Sequence, residues 1–280
     1  MKKLLVLVVT MLAVVASLLA GSVDAVPVTV GTFSFTSGGL GAQAEFIQDG
    51  NDLIVKLTNT GTGDVLVPAD ILTALFFDIA GVGDLFAASS AKSALLGSGS
   101  VIYYDTDGAS GVPGSTTCDA AGTTSCIVNG GDVGGEWAYK SGLAGAPQGA
   151  TEGISSAGFG LFGPSDLIGI VGLAPPPSPD GPNYGILSAG DDTTTGNSGV
   201  MGPGPLDDPK PQGQIKNQVV FTFTGALTGT ATSSDISHVS FQYGTGLDEP
   251  NFPPVPEPGA MLLLGAGLAG LWGYNRLRSG

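Results

Sequence analysis

The sequence predicts an all-β protein, an antiparallel β-sandwich or jelly-roll-like domain, with an N-terminal signal peptide and one short C-terminal transmembrane helix. Three observations carry the prediction. Short segments of alternating apolar and polar residues recur along the chain. Turns rich in Gly, Asn and Asp separate nearly all of them, and glycine supplies 47 of 280 residues, over twice the usual share of about 7%. No long apolar pattern of helical period survives between the two ends.

Taken in chain order, Gly31–Ser37 is a first extended segment. Ala42, Ala44 and Phe46 then alternate with polar residues, Asp49-Gly50-Asn51-Asp52 makes a turn, and Leu53, Val55 and Leu57 alternate again. This is the strongest hairpin signal in the chain. Further strands are expected at Leu75–Ile79, Ser100–Tyr104, Glu136–Tyr139, Ala157–Phe162, Tyr184–Ser188, Gln218–Thr224 and His238–Tyr243. Val219, Phe221 and Phe223 share one face of their strand, and Val239, Phe241 and Tyr243 share another that belongs in a core. Ser89–Leu96 is the one segment expected to be a short helix. The Pro-rich stretches Ala174–Pro182 and Gly202–Pro209 are expected as long loops within one domain, the alternative being a domain boundary. The organisation expected is a signal peptide over 1–25, a β-rich extracellular domain over 26–249, a stiff Pro-rich linker over 250–254, and a C-terminal tail over 255–280.

The body is acidic. Residues 26–254 hold five lysines against 22 acidic residues, all of the chain's 24 except Asp24 and Glu257, for a formal charge of −17. Such a surface repels nucleic acid and anionic lipid and keeps an exported protein soluble. Charged residues are only 12% of the chain, which excludes disorder of the low-hydrophobicity, high-charge kind.

Candidate chemistry is sparse. Cys118 and Cys126 are the two cysteines, and an even count in an exported chain favours a disulfide closing a small loop over metal ligation or a nucleophilic thiol. His238 is the single histidine. A serine triad would need it beside Asp235 or Asp208, with Ser110 or Ser198 as nucleophile, yet neither serine follows a strand-to-helix elbow. Asp105-Thr106-Asp107-Gly108 begins like a calcium loop but lacks the third acidic residue and the distal Glu, and turn formation by Asx side chains accounts for it as well. No phosphate-binding or dinucleotide motif occurs. The reading is a non-enzyme without an assigned cofactor, with calcium at Asp105 and Asp107 as the alternative.

The two ends say most. Lys2 and Lys3 precede an apolar stretch from Leu4 to Ala20, and Val23-Asp24-Ala25 offers small residues for signal peptidase, with cleavage after Ala25 or, alternatively, Ala20. An uncleaved anchor is the competing reading. At the other end, Val255-Pro256-Glu257-Pro258-Gly259 leads into an uncharged run from Ala260 to Tyr274, closed by Arg276 and Arg278. As a helix that run is about 22 Å long, short of the ~30 Å hydrocarbon core. The arginines can snorkel and act as a stop-transfer signal, leaving the body outside. Gly265, Ala266, Ala269 and Gly270 offer a small-residue face to another helix. An ordinary single-pass anchor is the alternative.

This order of Pro-Glu-Pro motif, short apolar helix and terminal arginines resembles the PEP-CTERM sorting signal. Ile215–Phe221, Val239–Thr245 and Asp248–Asn251 also resemble blocks in a subset of exosortase-dependent surface proteins. The resemblance implies recognition by an exosortase, a membrane cysteine protease-transpeptidase of Gram-negative bacteria that make extracellular polysaccharide. It implies an exported cell-surface or matrix protein, of structural or adhesive role in exopolysaccharide or biofilm. Exosortase and signal peptidase are then its partners during maturation, and extracellular polysaccharide a further candidate. Two other functions stay open: a carbohydrate- or calcium-binding adhesion module, and a secreted hydrolase.

Overall fold

Period-2 alternation buries one face of a strand and wets the other, and the N-terminal third of the body does this. The computed structural model describes residues 26–81, 92–103, 126–127, 131–168, 179, 181–191 and 214–255. Three strands come first: β1 (Val28–Ser37), β2 (Leu40–Asp49) and β3 (Asp52–Asn59). β2 and β3 form the expected hairpin, with Asp49 opposite Asp52 and Gly50 at φ 59°, a left-handed conformation that glycine takes without steric cost. Ala42, Ala44, Phe46, Leu53, Val55 and Leu57 are all fully buried on its inner face.

The remaining strands are β4 (Leu72–Ile79), β5 (Lys92–Leu96), β6 (Val101–Tyr103), β7 (Cys126–Ile127), β8 (Ala138–Ser141), β9 (Glu152–Ser155), β10 (Ile186–Leu187), β11 (Gln214–Lys216), β12 (Gln218–Phe223), β13 (Ile236–Tyr243) and β14 (Asn251–Phe252). They make two sheets. The first is antiparallel throughout, in the order β1-β2-β3-β12-β5. The second runs β14-β13-β4-β10-β11-β6-β7, with β9 also on β4 and β8 on β9. The second sheet is mixed, because β10 and β11 pair in parallel, where the sequence predicted antiparallel pairing alone. The only helical pieces among the described residues are single 3-10 turns.

One hydrophobic cluster draws on both sheets. Phe35 of β1 meets Phe241 and Tyr243 of β13 at ring-centroid distances of 5.5 and 5.9 Å, and Phe46 of β2 meets Phe77 of β4 at 5.2 Å. Trp137 and Tyr139 pack edge-on to Phe221 and Phe223 of β12, at 5.1 and 5.3 Å. Val239, Phe241 and Tyr243 lie in this core as expected, at 5%, 0% and 0% exposure. A polar tie joins the sheets as well. Buried Asn59 of β3 donates to Ile186 O of β10 at 2.8 Å and accepts from Gly61 N–H at 3.0 Å.

β4 is buried on both faces, which explains its nearly unbroken apolar sequence. Leu75 and Phe77 face the shared core. Ala74 and Phe76 face a second cluster with Ala138, Leu143, Ala146, Ala150 and Phe162. Gly153 of β9 sits between them: a Cβ there would lie 2.9 Å from Leu143 and Phe162 and 3.0 Å from Phe76.

Three local expectations are corrected. The Lys92–Leu96 part of the expected helix is β5, paired with β12 on one side and capped on the other by Gly131–Val133. So short a helix nucleates poorly, whereas the open edge of β12 supplies a full ladder. Residues 157–162 are a turn, with Phe159 at φ 50° and Gly160 at φ 71°, and the strand there is β9, slightly earlier. Glu136 lies in a turn closed by Val133, so the strand expected from Glu136 begins at Ala138.

Candidate functional site

The C-terminal end of the folded body is built around β13. Its first half carries a bulge, since Ser237 pairs with Asp78 but Ser240 with Phe76, leaving one extra residue on β13. His238 takes φ 50° in that bulge. Beyond the bulge the strand is buried on both faces, and Gln242 has no exposure at all. Its side-chain amide lies 2.9–3.3 Å from the carbonyls of Tyr243, Gly246, Glu249 and Pro250, gathering the loop after β13 around one donor group. Gly244 takes φ 74°, where a Cβ would collide with the Glu249 carboxylate. That carboxylate accepts from the N–H groups of Thr245 and Gly246.

The loop returns the chain to β13. Tyr243 N–H donates to Pro250 O at 2.9 Å, and Phe252 and Asn251 pair with Phe241 and Gln242. The Phe252 ring stacks on Phe35 of β1 at 4.5 Å and 16°. Val255 N–H then donates to Ser34 O of β1 at 2.9 Å. Residues 251–255 therefore pass from the edge of the second sheet to the edge of the first. Pro253 and Pro254 offer no N–H, and the segment is held to β1 at Phe252 and Val255. Val255 itself is 59% exposed.

The last described residue is thus the first residue of the Val-Pro-Glu-Pro-Gly motif. Residues 254–277 match the PEP-CTERM protein-sorting motif. The PEP-CTERM match implies exosortase-dependent sorting of an exported, surface-directed protein, with processing by an exosortase. No match was found among curated proteins or solved structures. Within the PEP-CTERM segment, Pro256, Glu257, Pro258, Gly259, Arg276 and Arg278 lie outside the described residues, as does the expected helix from Ala260 to Tyr274. Among the described residues no helix is long and apolar enough to cross a membrane. The expected signal peptide over 1–25 also lies outside them.

Cys118, Asp105 and Asp107 lie outside the described residues, as do Ser110, Ser198 and Asp208; Cys126 begins β7. His238 is not placed with Asp235. Its Nδ1 lies 2.6 Å from Asp78 Oδ2, and Asp235 instead accepts from the N–H and hydroxyl of Thr232. Burial alone would raise the Asp78 carboxyl, but bonds from the Thr151 N–H and hydroxyl and from His238 outweigh it and hold it below its ordinary value. Among the described residues no group of three or more His, Cys, Asp or Glu could hold a metal ion.

Sequence reasoning missed Asp191. It is 4% exposed, accepts from Val65 N–H at 2.9 Å, and its backbone carbonyl accepts from Lys216 Nζ at 2.8 Å. Burial raises its carboxyl to about 6, opposed by the Val65 bond and reinforced by Asp64. Nothing in Gly190-Asp191-Asp192 distinguishes this aspartate from an ordinary turn residue, because its partners lie far away in the chain.

Proposed function

We propose that the chain is a cell-surface or extracellular-matrix protein of a Gram-negative bacterium, with a non-catalytic structural or adhesive role in exopolysaccharide or biofilm. Signal peptidase removes residues 1–25. The helix from Ala260 to Tyr274 then holds the exported chain transiently in the inner membrane, with Arg276 and Arg278 as the stop-transfer charges. Exosortase reads Val255-Pro256-Glu257-Pro258-Gly259. Two prolines around one carboxylate give an extended segment, poor in backbone donors, that a peptide groove can bind. The body delivered to the surface is a β-sandwich with a Cys118–Cys126 disulfide.

The observation that carries this reading is the PEP-CTERM match at residues 254–277. The acidic surface, at −17 over residues 26–254, suits a secreted protein that must stay soluble among other exported chains. The test is Pro256→Ala or Glu257→Ala in native cells, followed by intact mass of the product. The variants are expected to accumulate at full length in the membrane while the parent is shortened. Unchanged processing of both variants would overturn the assignment.

A further inference from the structure

We propose that Asp64 and Asp191 form a proton-operated clasp. With one proton shared between the two carboxyls, residues 188–191 lie closed on residues 61–65; with the proton gone, the two stretches part and uncover the Val65–Ile71–Leu187 cluster.

The clasp joins the loop after β3 to the end of β10. Ser188 Oγ lies 2.9 Å from Gly61 O and 2.6 Å from Gly63 O, and Gly190 N–H donates to Gly61 O at 3.0 Å. The two backbones touch, since a Cβ on Gly190 would lie 2.3 Å from Thr62 O. Val65 N–H closes the row on Asp191 Oδ1 at 2.9 Å. Behind it, Val65, Ile71 and Leu187 form an apolar cluster of their own, each fully buried. The 60–63 side stays in place when the clasp opens. Thr60 N–H donates to Gly41 O at 2.7 Å, and the N–H groups of Thr62 and Gly63 donate to Gly39 O at 2.9 and 3.1 Å, all on the turn between β1 and β2. Residues 188–191 are therefore the part that moves.

A proton is what holds the last contact. Asp191 is 4% exposed, and its side chain is hydrogen-bonded to that of Asp64. Ionised carboxyls only accept, so two of them cannot bond without a proton between them. When both ionise, they repel at short range in a place that water reaches poorly. Among the described residues, the charged groups facing Asp191 are Asp64 and Lys216, and Lys216 Nζ donates to the Asp191 backbone carbonyl. Burial, the leading cause, and Asp64 together keep the proton bound up to about pH 6 against the pull of Val65 N–H and Lys216. The folded-state value is raised, so the clasp is closed below that pH and loosens as pH rises through it. The Ser188 and Gly190 bonds do not titrate, so opening is a local event that leaves both sheets intact.

Amide hydrogen exchange of the full-length chain at pH 5 and pH 7.5, corrected for the intrinsic exchange rate, tests this on the Val65 N–H itself. Its protection is expected to fall about fivefold between the two pH values, while the amides of β3 and β4 hold theirs. Asp191→Asn and Asp64→Asn each replace the shared proton by an amide donor, and each should keep Val65 protected at both pH values. Equal protection of Val65 at pH 5 and 7.5 in the parent would overturn the clasp. A fall that persists in both variants would overturn it too, as would a fall of the same size throughout β3 and β4, which marks global unfolding.

Discussion

Asp191 is a residue whose burial raises its carboxyl well above the ordinary range. Its carboxyl is buried beside Asp64, and the folded state holds its proton up to about pH 6, against an ordinary value of 3.8. A folded-state value above the unfolded one means that the native chain binds the proton more tightly. The stabilisation is therefore full below about pH 4, falls as pH rises, and is gone above about pH 6. Asn at this position keeps an acceptor for Val65 N–H and adds a donor toward Asp64. Asp191→Asn is expected to raise stability at pH 7 to 8 by about 1 kcal/mol, less than the full shift would give because Asp64 shares the titration. At pH 4 the variant and parent should nearly coincide. Thermal melts across this range measure it, and a variant less stable than the parent at pH 7.5 would contradict the assignment. Asp78 has the opposite sign: bonds from Thr151 and His238 lower its carboxyl, so its contribution is present near neutrality and lost as pH falls through the acid range.

Among the elements, β9 shows how the second cluster is closed. It pairs β4 on one side and β8 on the other, and Gly153 opposes Phe76 in the register. Phe162 and Leu143, from the turns on either side, occupy the space above that glycine. Close packing leaves no room for a methyl group without moving aromatic rings. Gly153→Ala is expected to destabilise by about 1–3 kcal/mol, the usual range for overpacking, despite the better strand propensity of alanine. Urea unfolding checks this, and a loss below about 0.5 kcal/mol would mean that the cluster adapts. Lys140 adds a polar tie here, donating to Leu161 O at 2.7 Å. Its pairing with Asp166 at 3.4 Å is too exposed to contribute much.

For the whole molecule, the aromatic contacts between sheets matter more than either sheet alone. Phe35, Phe46, Phe221 and Phe223 of the first sheet reach Phe77, Trp137, Tyr139, Phe241 and Tyr243. A core shared in this way cannot lose one sheet and keep the other. Calorimetry of the chain without residues 256–280 is expected to show a single transition whose calorimetric and van't Hoff enthalpies agree. Two resolved transitions would mean that the sheets are independent units. The strands before and after both Pro-rich stretches belong to the second sheet, which ties distant parts of the sequence to that one core. Downstream of it, residues 251–255 run from the edge of the second sheet to the edge of the first.

Local order in the sequence determined the β2–β3 hairpin, the inner faces of β12 and β13, and the sorting motif. Each depends on neighbours in the chain: a period of two, a Gly-containing turn, or prolines at fixed spacing before an apolar run. Tertiary structure alone decided that Lys92–Leu96 would be a strand, that β10 and β11 would run parallel, and that β9 would lie at Glu152–Ser155. It also placed Asp78 beside His238, buried Asp191, and docked residues 251–255. The physical reason is the same in every case. A strand edge accepts any extended segment that brings donors, acceptors and the right apolar face, and which segment arrives is settled by pairing across tens to hundreds of residues.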